Sequence, residues 1–296
     1  MSIRVLNNDL MLYSAILLGL VVIVGTTSNV SLEQFKSKRK KDKVFTSVKY
    51  DEVMVQNLVD VLSKDRTEKL ITSFDDGFLN RLDNNYINLE ARGVGFLSEY
   101  VDVIANVGED AEDDEKLIIY DALMYILKYV QDNGFKYNSY INVDKFINMD
   151  FKVSIVNDKE IYENSLPHTR FSELELGVVI LPFNVIERSS SFVRTLFHEL
   201  IHLYQKTYMD DWYSYLDYEG WRIQNVNADM YDNTRVNPDA DARVWLDKNG
   251  KKYGCTFQRS KHGFNLETIT CRPKNNIRFE HPAERYAYME SDKFQV

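Results

Sequence analysis

The stretch FHELIHLYQ, residues 197–205, sets His198 and His202 four positions apart with Glu199 beside the first. On a helix, positions four apart lie one turn above each other, so both imidazoles can aim at one spot. Two ring nitrogens converging on a point suit a zinc ion. Glu199 falls about 100° further around such a helix, within reach of a water on the metal without being a ligand. Zinc lowers the pKa of a bound water to about 7, and a carboxylate can take that proton and later pass it to a leaving amine. The H-E-x-x-H pattern therefore predicts metal-assisted hydrolysis, with His198 and His202 as ligands of one catalytic Zn2+ and Glu199 as general base. The competing reading is an ordinary helix carrying two satisfied histidines. Five histidines in 296 residues would produce the pattern by chance on the order of 0.005 times. Phe192, Leu196, Ile201 and Leu203 also surround it with apolar side chains that would bury rings in need of partners. Both observations favour the metal.

Two histidines leave a catalytic zinc one protein ligand short. A third histidine six residues beyond the motif is absent, because position 208 is Tyr208. The other common solution is a carboxylate from a second helix. Glu284 in EHPAERYAY is the first candidate, with Ala283 and Ala287 small enough to let two helices approach closely. His281 is the alternative ligand, and an acid in a first helical turn is favoured by the dipole alone. A developing oxyanion needs a further donor, for which His281, Tyr286 and Tyr288 are candidates. Asp239, in the turn Asn237-Pro238-Asp239, could orient a ligand imidazole, although a structural turn is the simpler reading. His168 in PHTR could line a cleft, with a surface loop as its default.

These side chains need elements to hold them. Ser189 or Ser190 can cap a helix running to about Tyr208. FKVSIV (151–156) and LGVVILPF (176–183) are short β-branched runs closed by turn formers and predict strands. KKYGCTF and LETITCRP predict a hairpin that brings Cys255 near Cys271. HPAERYAYMESDKF carries Pro282 in a first-turn position and predicts a helix. Residues 151–296 thus read as an α+β domain. Between 44 and 150 the pattern is mainly helical. DEVMVQNLVDVLSK and DEKLIIYDALMYILKYVQDNG space their apolar residues three and four apart, and Ile118, Leu123, Ile126 and Leu127 form a core stripe in the second. The acidic run GEDAEDDE (108–115) caps that helix.

A net charge of -9 and a pI near 5.2 exclude a nucleic-acid partner of the basic-patch kind. Residues 10–25 are almost continuously apolar, and the 23 residues between Asp9 and Glu33 carry no charge. As a helix they span about 35 Å, enough for a bilayer core. Lys36, Lys38, Arg39, Lys40, Lys41 and Lys43 follow at once, whereas Arg4 alone precedes the run. The positive-inside rule then predicts a single-pass membrane anchor with a basic linker over 1–43 and a cytosolic body. A cleaved signal peptide, with small Gly25, Thr26 and Ser28 after the run, is the alternative and would make the chain secreted. Cys255 and Cys271 lie 16 apart without a C-x-x-C pair, which argues against a zinc knuckle. In a cytosolic domain reduced thiols are expected, with a local disulfide as the alternative.

His198, Glu199 and His202 followed by the P-x-E-x-x-A segment Pro282–Ala287 resemble the gluzincin class of zinc metallopeptidases, in particular the small cores called minigluzincins. The order SLPHTR, strand, TLFHELIHLYQ, NPD and HPAE is similar to zinc peptidases assigned by sequence to large DNA viruses. The resemblance covers residues 160 to 290. It implies a zincin-like domain made of a small sheet, an active-site helix and a C-terminal glutamate helix. It further implies Glu284 as third ligand, Glu199 as base, and an edge strand near 176–182 that could hold an extended peptide by β-addition. The expected function is a membrane-anchored zinc metallopeptidase acting on a peptide or protein substrate. The alternative is a catalytically inert membrane or virion scaffold that retains a peptidase fold.

Overall fold

A computed structural model describes residues 60–294 except 84, 158–162, 164–165, 174, 225–232, 241–242, 262, 266–268, 274–277 and 279. The apolar run 10–25, the basic residues 36–43 and His262 lie outside the described residues. Among the described residues no helix is long and apolar enough to cross a membrane. Residues Lys49–Val296 form one compact unit of mixed α+β structure.

Strands β3 (Lys152–Val156) and β5 (Leu176–Pro182) bury side chains on both faces, as near-continuous apolar runs in parallel strands do. They pair in parallel, Val153 beside Val179 and Ile155 beside Leu181. Strand β1 (Asp60–Val61) joins β3 in parallel, and β2 (Gly108–Glu109) and β4 (His168–Ser172) run antiparallel to β3 and β5 respectively. The order is β1-β3-β5-β4, with β2 also on β3. Strands on both sides of residue 150 therefore share one sheet, since β1 and β2 precede it and their partner β3 follows it. The order also corrects one expectation. Residues 176–182 are not an edge strand: Val178, Val179, Ile180 and Leu181 are fully buried between two partners, and the edge is β4.

Among the described residues six helices precede β3: α1 (Lys64–Ile71), α2 (Phe78–Leu82), α3 (Tyr86–Glu90), α4 (Leu97–Ile104), α5 (Asp113–Asn133) and α6 (Val143–Ile147). The helix expected over 51–64 does not include Asp60 and Val61, because their backbones are engaged by Lys152 and Val153 of β3. Helix α5 opens on a capping box between Glu112 and Glu115 and stops at Gly134, whose φ of +63° glycine adopts without a steric penalty. Its core face is Ile119, Ala122, Leu123, Ile126 and Val130. Leu123 and Ile126 were expected there, whereas Ile118 and Leu127 turn out half-buried on the flank. Leu70, Phe78, Leu82, Tyr100 and Ile104 pack with Val178, Ile180 and Val236, so the early helices share a core with the sheet.

Helix α7 (Ser190–Thr207) runs through the interior and packs on β5, α5 and the C-terminal helix α9 (Pro282–Ser291). Gly177 of β5 permits the contact with α7, since a Cβ there would fall 2.3 Å from Leu203 Cδ1. After α8 (Met209–Tyr218) comes a second antiparallel sheet of β6 (Arg222–Ile223), β7 (Trp245–Leu246), β8 (Lys252–Phe257) and β9 (Ile269–Arg272). The β8–β9 register sets Cys255 opposite Cys271, and the two are joined as a disulfide. The reduced thiols expected from a cytosolic setting are thereby corrected: direct cross-strand opposition brings the sulfurs together.

Candidate metal centre

Helix α7 begins where the Ser189 hydroxyl accepts a hydrogen bond from Phe192 N at 3.1 Å. From Leu196 to Gln205 every residue is buried, so His202 has no solvent to satisfy it and His198 reaches only the cleft. They lie one turn apart with their Nε2 atoms 3.0 Å from each other. Helix α9 closes on them through its small residues, Ala283 and Ala287, both buried. Pro282 occupies its first turn, and His281 caps it, with Nδ1 accepting from Ala283 N at 3.0 Å. That role leaves His281 at the helix end with its ring edge-on to Trp245, outside the ligand cluster. Glu284, in the first turn of α9, brings Oε2 to 3.3 Å from His198 Nε2 and 3.4 Å from His202 Nε2. His198, His202 and Glu284 thus form a buried group able to hold a metal ion.

The donor set can be tested for fit. A tetrahedral zinc with bonds of about 2.05 Å needs ligand atoms about 3.3 Å apart, and the three separations are 3.0, 3.3 and 3.4 Å. The proton positions agree. Gln205 Nε2 donates to Tyr140 Oη at 2.8 Å and to the Ala283 carbonyl at 3.4 Å, which fixes its Oε1 toward His202 Nδ1 at 2.9 Å. An amide oxygen only accepts, so His202 carries its proton on Nδ1 and offers the Nε2 lone pair to the centre. On the other side, Asn237 Nδ2 donates to Glu284 Oε1 at 3.0 Å and to Glu280 Oε2 at 3.3 Å. Glu284 Oε2 is left for the imidazoles. Lone pairs facing one another at this spacing repel unless a cation sits between them.

Electrostatics favour positive charge at this point. Burial works against a charged His202, yet the Glu284 carboxylate outweighs it and raises the His202 pKa to about 9. Burial lowers that of His198. Burial alone would raise Glu284, but the neighbouring histidines hold its carboxyl well below the ordinary range. Glu199 behaves oppositely: burial, with the Asp239 charge nearby, pushes its carboxyl well above the usual value. Its Oε2 is buried without a hydrogen-bond partner. A carboxylate so placed has raised proton affinity, as a general base working against a weakly acidic water requires.

His198, Glu199 and Glu284 line a cleft of about 440 Å3, together with Pro167, His168, Arg194, Asp239 and Tyr288. Of the donors proposed for an oxyanion, only Tyr288 reaches the cleft, its ring centroid 4.3 Å from that of His198. Tyr286 points elsewhere, packing among Trp212, Tyr215 and Trp221, whose Nε1 donates to its hydroxyl at 3.3 Å. His168 is not on a surface loop. It opens β4, is buried on the cleft wall, and burial lowers its pKa toward the neutral form. Asp239 does not touch a ligand imidazole: its Oδ1 accepts from Thr169 N at 2.6 Å and Thr169 Oγ1 at 2.7 Å, with Lys206 Nζ at 3.6 Å. Lys206 in turn donates to the carbonyls of Thr169 and Pro238. The Asn237-Pro238-Asp239 turn is therefore clasped between β4 and α7, and the clasp carries Asn237 to Glu284.

Sequence reasoning did not identify Gln205, Lys206 or the amide of Asn237. Gln205 follows His202 by three residues, the spacing at which one helical side chain overlies another, and that was the available signal. Nothing in the sequence links Asn237 to Glu284. Compared with protein-family models, curated proteins and solved structures, the chain finds no match.

Proposed function

We propose that this chain is a membrane-anchored zinc metallopeptidase of zincin-like architecture, with His198, His202 and Glu284 as ligands and Glu199 as general base. The observation that carries the reading is the convergence of three buried donor atoms at tetrahedral spacing beside a carboxylate oxygen with no other partner. Zinc bound there supplies Lewis acidity, polarising a substrate carbonyl and lowering the pKa of water. The chain's own groups do the rest. Glu199 takes the proton of the attacking water as its oxygen bonds to the carbonyl carbon, then delivers it to the amine nitrogen as the C–N bond breaks. Tyr288 donates toward the oxygen that gains charge. The membrane anchor rests on the uncharged run at 10–25 and its basic flank.

The test uses the full chain purified without chelators. Near-stoichiometric zinc and hydrolysis of a peptide library are expected. Glu199→Gln should keep the metal and lose turnover, whereas His202→Ala should lose both. Protein that holds no zinc after gentle purification defeats the proposal, and zinc-loaded protein whose Glu199→Gln variant performs as well as wild type supports an inert scaffold instead.

A further inference from the structure

The cleft wall shows which substrates it suits. An extended peptide can be held by adding to a sheet edge only where the edge offers free backbone groups. At β4 three of those groups are used. Thr169 N donates to Asp239, Thr169 O accepts from Lys206 Nζ at 2.7 Å, and Phe171 N lies 3.4 Å from Asp76 Oδ2. Pro167, two residues before Thr169 on the same side, has no N–H to give. Recognition therefore falls to side chains.

Most charged groups lining the cleft have a partner of opposite sign. Glu163 meets Arg92 at 2.7 Å, Arg235 meets Glu280, Arg278 meets Asp292, and Asp239 meets Lys206. Arg194 differs. It is exposed on α7 one turn before His198, lines the cleft with Ser191 and Thr195, and among the described residues its one hydrogen bond is a 3.5 Å contact to Ser190 Oγ. Among the described residues it forms no ion pair with a carboxylate. An arginine fork presents two parallel N–H donors that match a carboxylate.

Resting on the proposed peptidase reading, we infer that Arg194 selects substrates bearing a carboxylate, held one helical turn from the metal ligands. Two sources share this chemistry: an aspartate or glutamate side chain beside the scissile bond, and the terminal carboxylate of a short peptide. The test compares zinc-loaded full-length protein on matched peptides that differ only by Glu, Gln or Lys at each flanking position, each made as free acid and as C-terminal amide. A preference for carboxylate on the order of tenfold in kcat/KM is expected. Glu over Gln identifies the side chain, and free acid over amide identifies the terminus. Arg194→Gln should erase the preference, and Arg194→Glu should turn it toward Lys. Equal rates on all peptides, or a preference that survives Arg194→Gln, overturn the inference while leaving the peptidase reading intact. Absence of any hydrolysis defeats the peptidase reading. In that case calorimetric binding of the same peptides to the zinc-loaded Glu199→Gln chain reads Arg194 directly, and affinity indifferent to the carboxylate overturns the inference as well.

Discussion

Asn237 Nδ2 lies 3.0 Å from Glu284 Oε1, so one carboxylate oxygen is fixed by an amide while the other faces His198 and His202. Groups that orient metal ligands from behind are typically worth about 10- to 100-fold in affinity. Asn237→Ala should weaken zinc binding by that factor, read by competition against a chelator of known affinity. An unchanged constant would remove Asn237 from the site's architecture.

Gln205 makes a parallel prediction from the opposite side. Gln205→Leu removes the acceptor at His202 Nδ1 and frees the ring to turn or change tautomer. Zinc affinity should fall by about 10- to 100-fold with little change in secondary structure. Circular dichroism and metal competition on the same sample distinguish this from unfolding.

Lys206 and Asp239 should respond asymmetrically to substitution. Asp239→Asn leaves a half-buried ammonium without its nearest counter-charge, a change expected toward the low end of about 3–5 kcal/mol. Lys206→Met leaves Asp239 still accepting two hydrogen bonds from Thr169 and should cost less. The double variant should be less destabilised than the two losses summed, as chemical denaturation would reveal. Simple additivity would mean that the two groups are not coupled.

Acid should weaken the link between the early helices and the cleft. Glu163 is buried, yet Arg92 beside it holds its pKa near 2, against 4.5 for the free side chain. The folded value is depressed, so the stabilisation is present above pH 4.5 and is lost as pH falls from there toward 2. By linkage the pair contributes about 3 kcal/mol at neutral pH. The denaturation free energy of wild type should drop between pH 5 and 3 more steeply than that of Glu163→Gln, which should already be destabilised at pH 7. Parallel curves for the two proteins would rule this out.

The Cys255–Cys271 bond closes a short loop of 16 residues in sequence. Alkylation of native, unreduced protein should label neither cysteine, by intact mass. Reduction or Cys255→Ser should lower stability by about 3 kcal/mol, the chain-entropy value for a loop of this length. Two labelled thiols in the unreduced protein would contradict the pairing.

The sequence by itself determined whatever depends on neighbours within a turn or a strand. His198 and His202 had to share a face once 190–207 was helical, because four residues make about one turn. Pro282 and the runs at 151–156 and 176–182 carried their own local conformations, and the cysteines met because a hairpin aligns its arms. Tertiary structure decided everything that joins distant segments. It selected Glu284 over His281, because the capping geometry of α9 turns one toward α7 and keeps the other at the helix end. It selected Tyr288 over Tyr286, since only one of them faces the cleft. It moved the sheet edge from β5 to β4, gave the acid of the 237–239 turn to Thr169 and its amide to Glu284, and paired Glu163, Arg235, Asp239 and Arg278 across the cleft while leaving Arg194 without a carboxylate among the described residues. Composition and periodicity state which residues can bury or ligate. Which of them meet is set by how helices and strands pack, and that packing depends on the whole core at once.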